Sequence, residues 1–206
     1  MTPSLRWRLF VVLTSYLALL SCAKPKNETS CGFVQNVYGE RVSWKSSVPV
    51  RLYLHTSVPQ VYEDAIRSAA TTWNEAFGRE ILIIDPVRIG GDRPAEDSTN
   101  VIYFLKTWEQ ERAAEQARTH LRWSGDQMRE ADIRINGLYY TYYVTGASSV
   151  PLGAVNIEAL LLHEFGHVLG LRHNDAAPSV MATGLKSNQD RIDLQIADRE
   201  SLKCEY

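Results

Sequence analysis

The sequence predicts an α+β fold, and three observations lead there. The alternating run Val48-Pro49-Val50-Arg51-Leu52-Tyr53-Leu54 fits a strand and is followed at once by a helical apolar pattern. Short β-branched stretches then recur between residues 80 and 135. Helical patterning returns only from about residue 156, so the sheet comes first and most of the helix lies behind it.

The first helix is read from Gln60 to Phe77. Val61, Ala65, Ile66, Ala69, Ala70, Trp73 and Phe77 recur there at three and four residues, and Gly78 ends the pattern. Its expected role is to cover the sheet. Glu80 to Ile89 and Asn100 to Lys106 supply the next strands. Between them, Gly90-Gly91-Asp92 and Asp97 could hold calcium through their carboxylates, but the spacing matches no known calcium loop and a solvated turn is preferred. Residues 107–118 read as a charged helix or an extended loop with a solvated face. Thr119 to Trp123 and Ala131 to Ile135 are short strands. The aromatic cluster Tyr139-Tyr140-Thr141-Tyr142-Tyr143 is read as packing a sheet in preference to lining a pocket. Helices from about Asn156 to Leu169 and near Arg191 to Leu202 complete the chain, with no internal repeat.

A length of 206 residues with 45% apolar content supports one core of ordinary size, so one domain is expected over residues 48–206. The 22 basic and 24 acidic residues leave a net charge of -2 without a long block of either sign, which argues against a nucleic-acid partner. A monomer is the expectation. At the start, Arg6 and Arg8 precede an apolar stretch too short to span a membrane comfortably, and residues 1–21 read as an export signal. Leu19-Leu20-Ser21-Cys22 resembles the bacterial lipobox, which would make Cys22 the lipidated first residue of the mature chain. Residues 22–47 then form the lipidated cysteine, a polar tether over 23–30 and an N-terminal segment. Ala23, where an aspartate would retain the protein at the inner membrane under the best-known sorting rule, favours the outer membrane. Cys31 and Cys204 remain as an even pair in an oxidising compartment, most simply a disulfide.

The strongest local signal is His163-Glu164-Phe165-Gly166-His167-Val168-Leu169-Gly170-Leu171-Arg172-His173, an H-E-x-x-H run extended by G-x-x-H. Its five fixed residues would arise by chance in roughly one chain in 10⁵ of this composition. On a helix, His163 and His167 share a face and can reach one ion. A continued helix would carry His173 about 15 Å along the axis from His163, out of reach. Gly170 can take the left-handed conformation that ends a helix and turns the chain back. Three neutral histidines leave one tetrahedral position open, the mark of a catalytic zinc site. Glu164 would serve as general base toward a zinc-activated water and then protonate the leaving amine.

This segment resembles the metzincin metalloproteases, whose extended motif is followed by a methionine turn. Pro178-Ser179-Val180-Met181 would supply that turn, with Met181 as an apolar floor and not a ligand. Within the clan it is most similar to matrixins, through His-Glu-x-Gly-His-x-x-Gly-Leu, Asn156-Ile157-Glu158-Ala159 and Ala131-Asp132-Ile133. The resemblance is sharp over residues 156–184 and one of layout from 48 to 137. It implies a twisted mixed sheet with a long N-terminal helix, an active-site helix and a C-terminal helix. It also implies a substrate polypeptide paired along a cleft strand, for which Thr119 to Trp123 is the candidate.

The departures from that pattern also matter. Thr183 stands where astacins and serralysins carry a ligating tyrosine, so no fifth ligand is expected there. Outside the motif only His55 and His120 remain, read as a strand-end and a surface histidine, so a second, structural zinc is not expected. Cys31-Gly32 lacks the prolines, arginine and aspartate that flank the cysteine switch of matrix metalloproteases, and residues 23–47 hold no recognisable propeptide. The function expected is a single-zinc, lipid-tethered endopeptidase acting on polypeptides outside the cytoplasm. The rivals are a non-catalytic scaffold lipoprotein for binding or assembly, and a zinc hydrolase of a non-peptide amide such as cell-wall material.

Overall fold

The computed structural model of the protein describes residues 28–91 and 94–206. The export signal, Cys22 and Asp92 lie outside the described residues. Strand β1 (Val50–His55) buries Val50, Leu52 and Leu54 and exposes Arg51, as alternation requires. The chain leaves it through a 3-10 turn at Gln60–Tyr62, so α1 (Glu63–Phe77) starts three residues later than its apolar spacing suggests. Ala65, Ile66, Ala69, Ala70 and Trp73 form its buried face, whereas Val61 is exposed. Gly78 closes the helix at φ 78°.

Asn74 fastens α1 to β2 (Leu82–Ile89). Its Oδ1 accepts from the N–H groups of Ile81 (2.8 Å) and Leu82 (2.9 Å), and its Nδ2 donates to the Leu82 carbonyl (2.9 Å). After β3 (Asn100–Leu105), residues 107–118 form no charged helix. They hold one 3-10 turn at Gln110–Arg112 and then enter β4 (Ala117–Ser124). Two of their acidic side chains find basic partners in the strands, Glu109 with Arg134 (3.0 Å) and Glu115 with Arg118. β4 and β5 (Gln127–Asn136) both outrun their apolar stretches, because the antiparallel ladder between them extends from Ala117 opposite Ile135 to Ser124 opposite Gln127. Cross-strand pairing sets their length.

The five strands lie in the order β2-β1-β3-β5-β4, all parallel to their neighbours except β4, which is antiparallel and forms an edge. Tyr142 and Tyr143 make β6, which pairs in parallel with β7 (Val155–Asn156); both tyrosines are buried and Tyr139 stays exposed. The Asn156 side chain accepts from the Ala159 N–H (3.1 Å) and starts α2 (Ile157–Val168), a helix buried almost all round. The last helix, α3, runs Ile196–Glu205 and not from residue 191. Gln195 and Asp198 form a capping box that sets its start, leaving Arg191 in a loop.

α1 and α2 pack on each other and on the sheet, with Trp73 fully buried between them and its Nε1 donating to Leu162 O (2.9 Å). Phe33, Val42 and Trp44, ahead of β1, join the same core. Cys31 and Cys204 form a disulfide across a sequence separation of 173 residues. Closing so long a loop is worth roughly 5 kcal/mol in the chain-entropy account. Among the described residues no helix is long and apolar enough to cross a membrane.

Asn74→Ala would leave two N–H groups of the α1–β2 connection without partners. The unfolding free energy should fall by about 2–3 kcal/mol, read from urea denaturation; an unchanged midpoint would reject the bracket.

Candidate metal centre

α2 carries His163 and His167 one turn apart on one face, with His163 8% exposed. Their Nε2 atoms stand 3.1 Å apart, and that of His173 lies 3.2 Å from His167. Ligand atoms at about 2.0–2.1 Å from one tetrahedral ion stand roughly 3.3–3.4 Å from each other. The observed spacing therefore suits a single zinc ion. Among the described residues these three form the group of His, Cys, Asp or Glu side chains close enough to share an ion.

The ring orientations fit the same purpose. His163 Nδ1–H donates to Val180 O (2.7 Å) and His167 Nδ1–H to Leu171 O (2.7 Å), which leaves both Nε2 lone pairs facing the common point. Burial lowers the pKa of His163 to about 3, with the nearby His167 acting in the same direction. Burial also lowers those of His167 and His173. Each shift favours the neutral ring, the form that binds a metal. Three lone pairs aimed at one point repel one another, and a cation there removes the conflict.

His173 reaches the site because α2 ends at Val168 and Gly170 takes φ 102°. Conformation is only half of the demand on that glycine. A Cβ at Gly170 would stand 2.6 Å from the Val42 carbonyl oxygen and 3.0 Å from Phe33 Cδ1. Gly166 is also constrained, since a Cβ there would lie 2.2 Å from Met181 Sδ. Met181 is 2% exposed and presses on α2 at Gly166, between the two helical histidines. Its turn is held by the buried Asp198, which accepts from the Ser179 hydroxyl and from the Val180 N–H (3.0 Å).

Glu164 is 4% exposed, and the Thr119 hydroxyl on β4 donates to its Oε2 (2.6 Å). Burial pushes this carboxyl up to about 7, and the Thr119 bond pulls the other way. It opens on a cleft of about 460 Å³. Ala117, Thr119 and Leu121 of the edge strand line it, as do Leu185 and Arg191. Thr183 also lines the cleft, and its hydroxyl donates to Asp175 Oδ2 (2.8 Å).

His55 sits at the end of β1 with its ring between Ser57 Oγ (2.8 Å) and Gly91 O (3.0 Å), and His120 lies exposed on β4. Cys31, bonded to Cys204, has no thiol to block the metal site. Thr119 as a partner of Glu164, the Val180 and Leu171 carbonyls and Arg191 are absent from the sequence reading of the site. Thr119 is 45 residues from Glu164, and backbone acceptors carry no residue-type signal.

Three convergent histidines that could hold one metal ion, a buried carboxylate beside them and a methionine beneath define the class of site. The family model for matrixin matches residues 106–206, which contain the three histidines, Glu164, Thr119 and Met181. Over that stretch the chain is similar to the matrixin peptidase family. No curated protein matches the chain.

Gly166→Ala should displace Met181 and lower stability by about 1–3 kcal/mol. The increase in melting temperature on adding zinc should shrink in parallel; a full zinc-induced increase would show that the floor can yield.

Proposed function

We propose that the protein is a zinc-dependent endopeptidase that hydrolyses peptide bonds of polypeptides outside the cytoplasm. The observation that carries the reading is Glu164, buried beside three convergent imidazoles and opening on a cleft lined by an edge strand. His163, His167 and His173 would hold one zinc ion. When bound, zinc acidifies a water molecule and polarises a carbonyl group.

The chain's own residues supply the rest. The Thr119 hydroxyl fixes Glu164 Oε2 and so orients the carboxylate, leaving Oε1 to take a proton from the attacking water. The same oxygen can return that proton to the leaving amine, with no covalent intermediate. β4 offers an extended substrate the free side of its antiparallel ladder, so that backbone pairing would lay a peptide along Ala117 to Leu121. A chain bound along an edge enters and leaves with neither terminus held, which suits internal cleavage. For location, the reading keeps a lipid on Cys22 as the membrane anchor, with the outer membrane as its expected site.

Glu164→Gln should abolish cleavage of casein while zinc remains bound in equal amount, and removal of metal by a chelator should do the same reversibly. Retained cleavage in the variant would sink the mechanism. Zinc binding by the wild-type protein without peptide cleavage would instead favour the scaffold or the non-peptide hydrolase. Thr119→Val should lower kcat by roughly tenfold, the scale of a lost outer-shell partner, with KM little changed in peptide kinetics.

A further inference from the structure

A helix leaves its last carbonyls without partners, and at the end of α2 these groups lead directly into His173. The last of them, on Val168, and the next two carbonyls, on Leu169 and Gly170, find their donors in distant parts of the chain. Val168 O accepts from Trp44 Nε1 (2.7 Å), Leu169 O from the Tyr206 hydroxyl (2.7 Å), and Gly170 O from the Val34 N–H (2.9 Å). Past the turn, Phe33 pairs antiparallel with Leu171, and the Arg172 N–H donates to Gly32 O (2.8 Å).

The donors are themselves tied together. The Trp44 N–H donates to the Tyr206 hydroxyl (3.2 Å), and the Cys31–Cys204 disulfide joins the segment before β1 to α3. Residues from both ends of the described chain thus close on one turn. At its centre is Leu171, whose carbonyl sets the tautomer of His167, and next to it Arg172 adjoins His173. His163 is held by a separate device, the Val180 carbonyl of the turn that Asp198 secures.

We propose that Trp44, Tyr206 and the Gly32–Val34 segment, locked by the Cys31–Cys204 disulfide, are positioning elements of the metal centre. They set its affinity and geometry through His167 and His173. This rests on the reading of the three histidines as ligands, not on peptide cleavage. Trp44, Cys31 and residues 32–34 lie outside the 106–206 stretch that the matrixin model matches. The segment before β1 therefore completes the site as a permanent brace.

The test uses the purified full chain loaded with cobalt(II), whose visible absorption reports coordination geometry. Affinity is measured by competition with a chelating dye. Tyr206→Phe keeps the ring and removes one donor, and Trp44→Phe removes the indole donor while keeping an aromatic side chain. Each should weaken cobalt binding by about tenfold and change the absorption band, and Cys31→Ser with Cys204→Ser should act in the same direction. Ile84→Val, a core change on the sheet, serves as the control for lost stability and should leave band and affinity unchanged. Wild-type affinity and band in both aromatic variants, or losses no larger than their melting shifts predict from the control, would overturn the proposal. A wild-type chain that binds no cobalt would overturn it together with the zinc reading. Cobalt binding disturbed as expected, with no peptide cleaved by the wild type, would support the brace and count against the peptidase alone.

Discussion

Three imidazole nitrogens have to meet with spacings of 3.1 and 3.2 Å, and the surrounding structure follows from that constraint. Two of them come from one helix at no conformational cost, because residues four apart share a face. The third requires the helix to stop and the chain to return within six residues. That is why Gly170 is left-handed, why Val42 and Phe33 approach it so closely, and why the free carbonyls at the helix end need donors from elsewhere.

The same constraint explains how much of the site is buried. α2 shows almost no polar face to solvent, and burial favours the neutral histidines while raising the Glu164 carboxyl. Burial alone would favour the protonated acid. The Thr119 hydroxyl, delivered by the edge strand, opposes that and fixes the direction of the carboxylate. The sheet therefore contributes twice, through a side chain that orients Glu164 and through a free backbone edge beside it.

Below the histidines, Asp198 organises a second level. It accepts from Ser179, Val180 and Gln195, and so joins the methionine turn to the start of α3. Val180, held this way, presents the carbonyl that orients His163. The methionine then has one place to go, against the only residue in that helical turn without a side chain, Gly166. Packing and ligand orientation are coupled through a single acidic residue.

The helix pattern of α1, the strand alternation of β1 and the local spacing of the His163–His173 run were legible in the amino-acid order, because each depends on neighbours a few residues apart. α1 and α3 start three and five residues later than their sequence patterns suggest, and β4 and β5 extend beyond their apolar stretches. A 3-10 turn, a capping box and cross-strand pairing decided those limits. The pairing of Cys31 with Cys204 followed from counting, but what it braces did not. By itself, then, the sequence determined which residues could ligate a metal and that the helix bearing them must break at Gly170. Tertiary structure alone decided which hydroxyl meets Glu164, that the Val180 carbonyl orients His163 and which distant residues hold the turn, since those contacts join groups 17 to 124 residues apart.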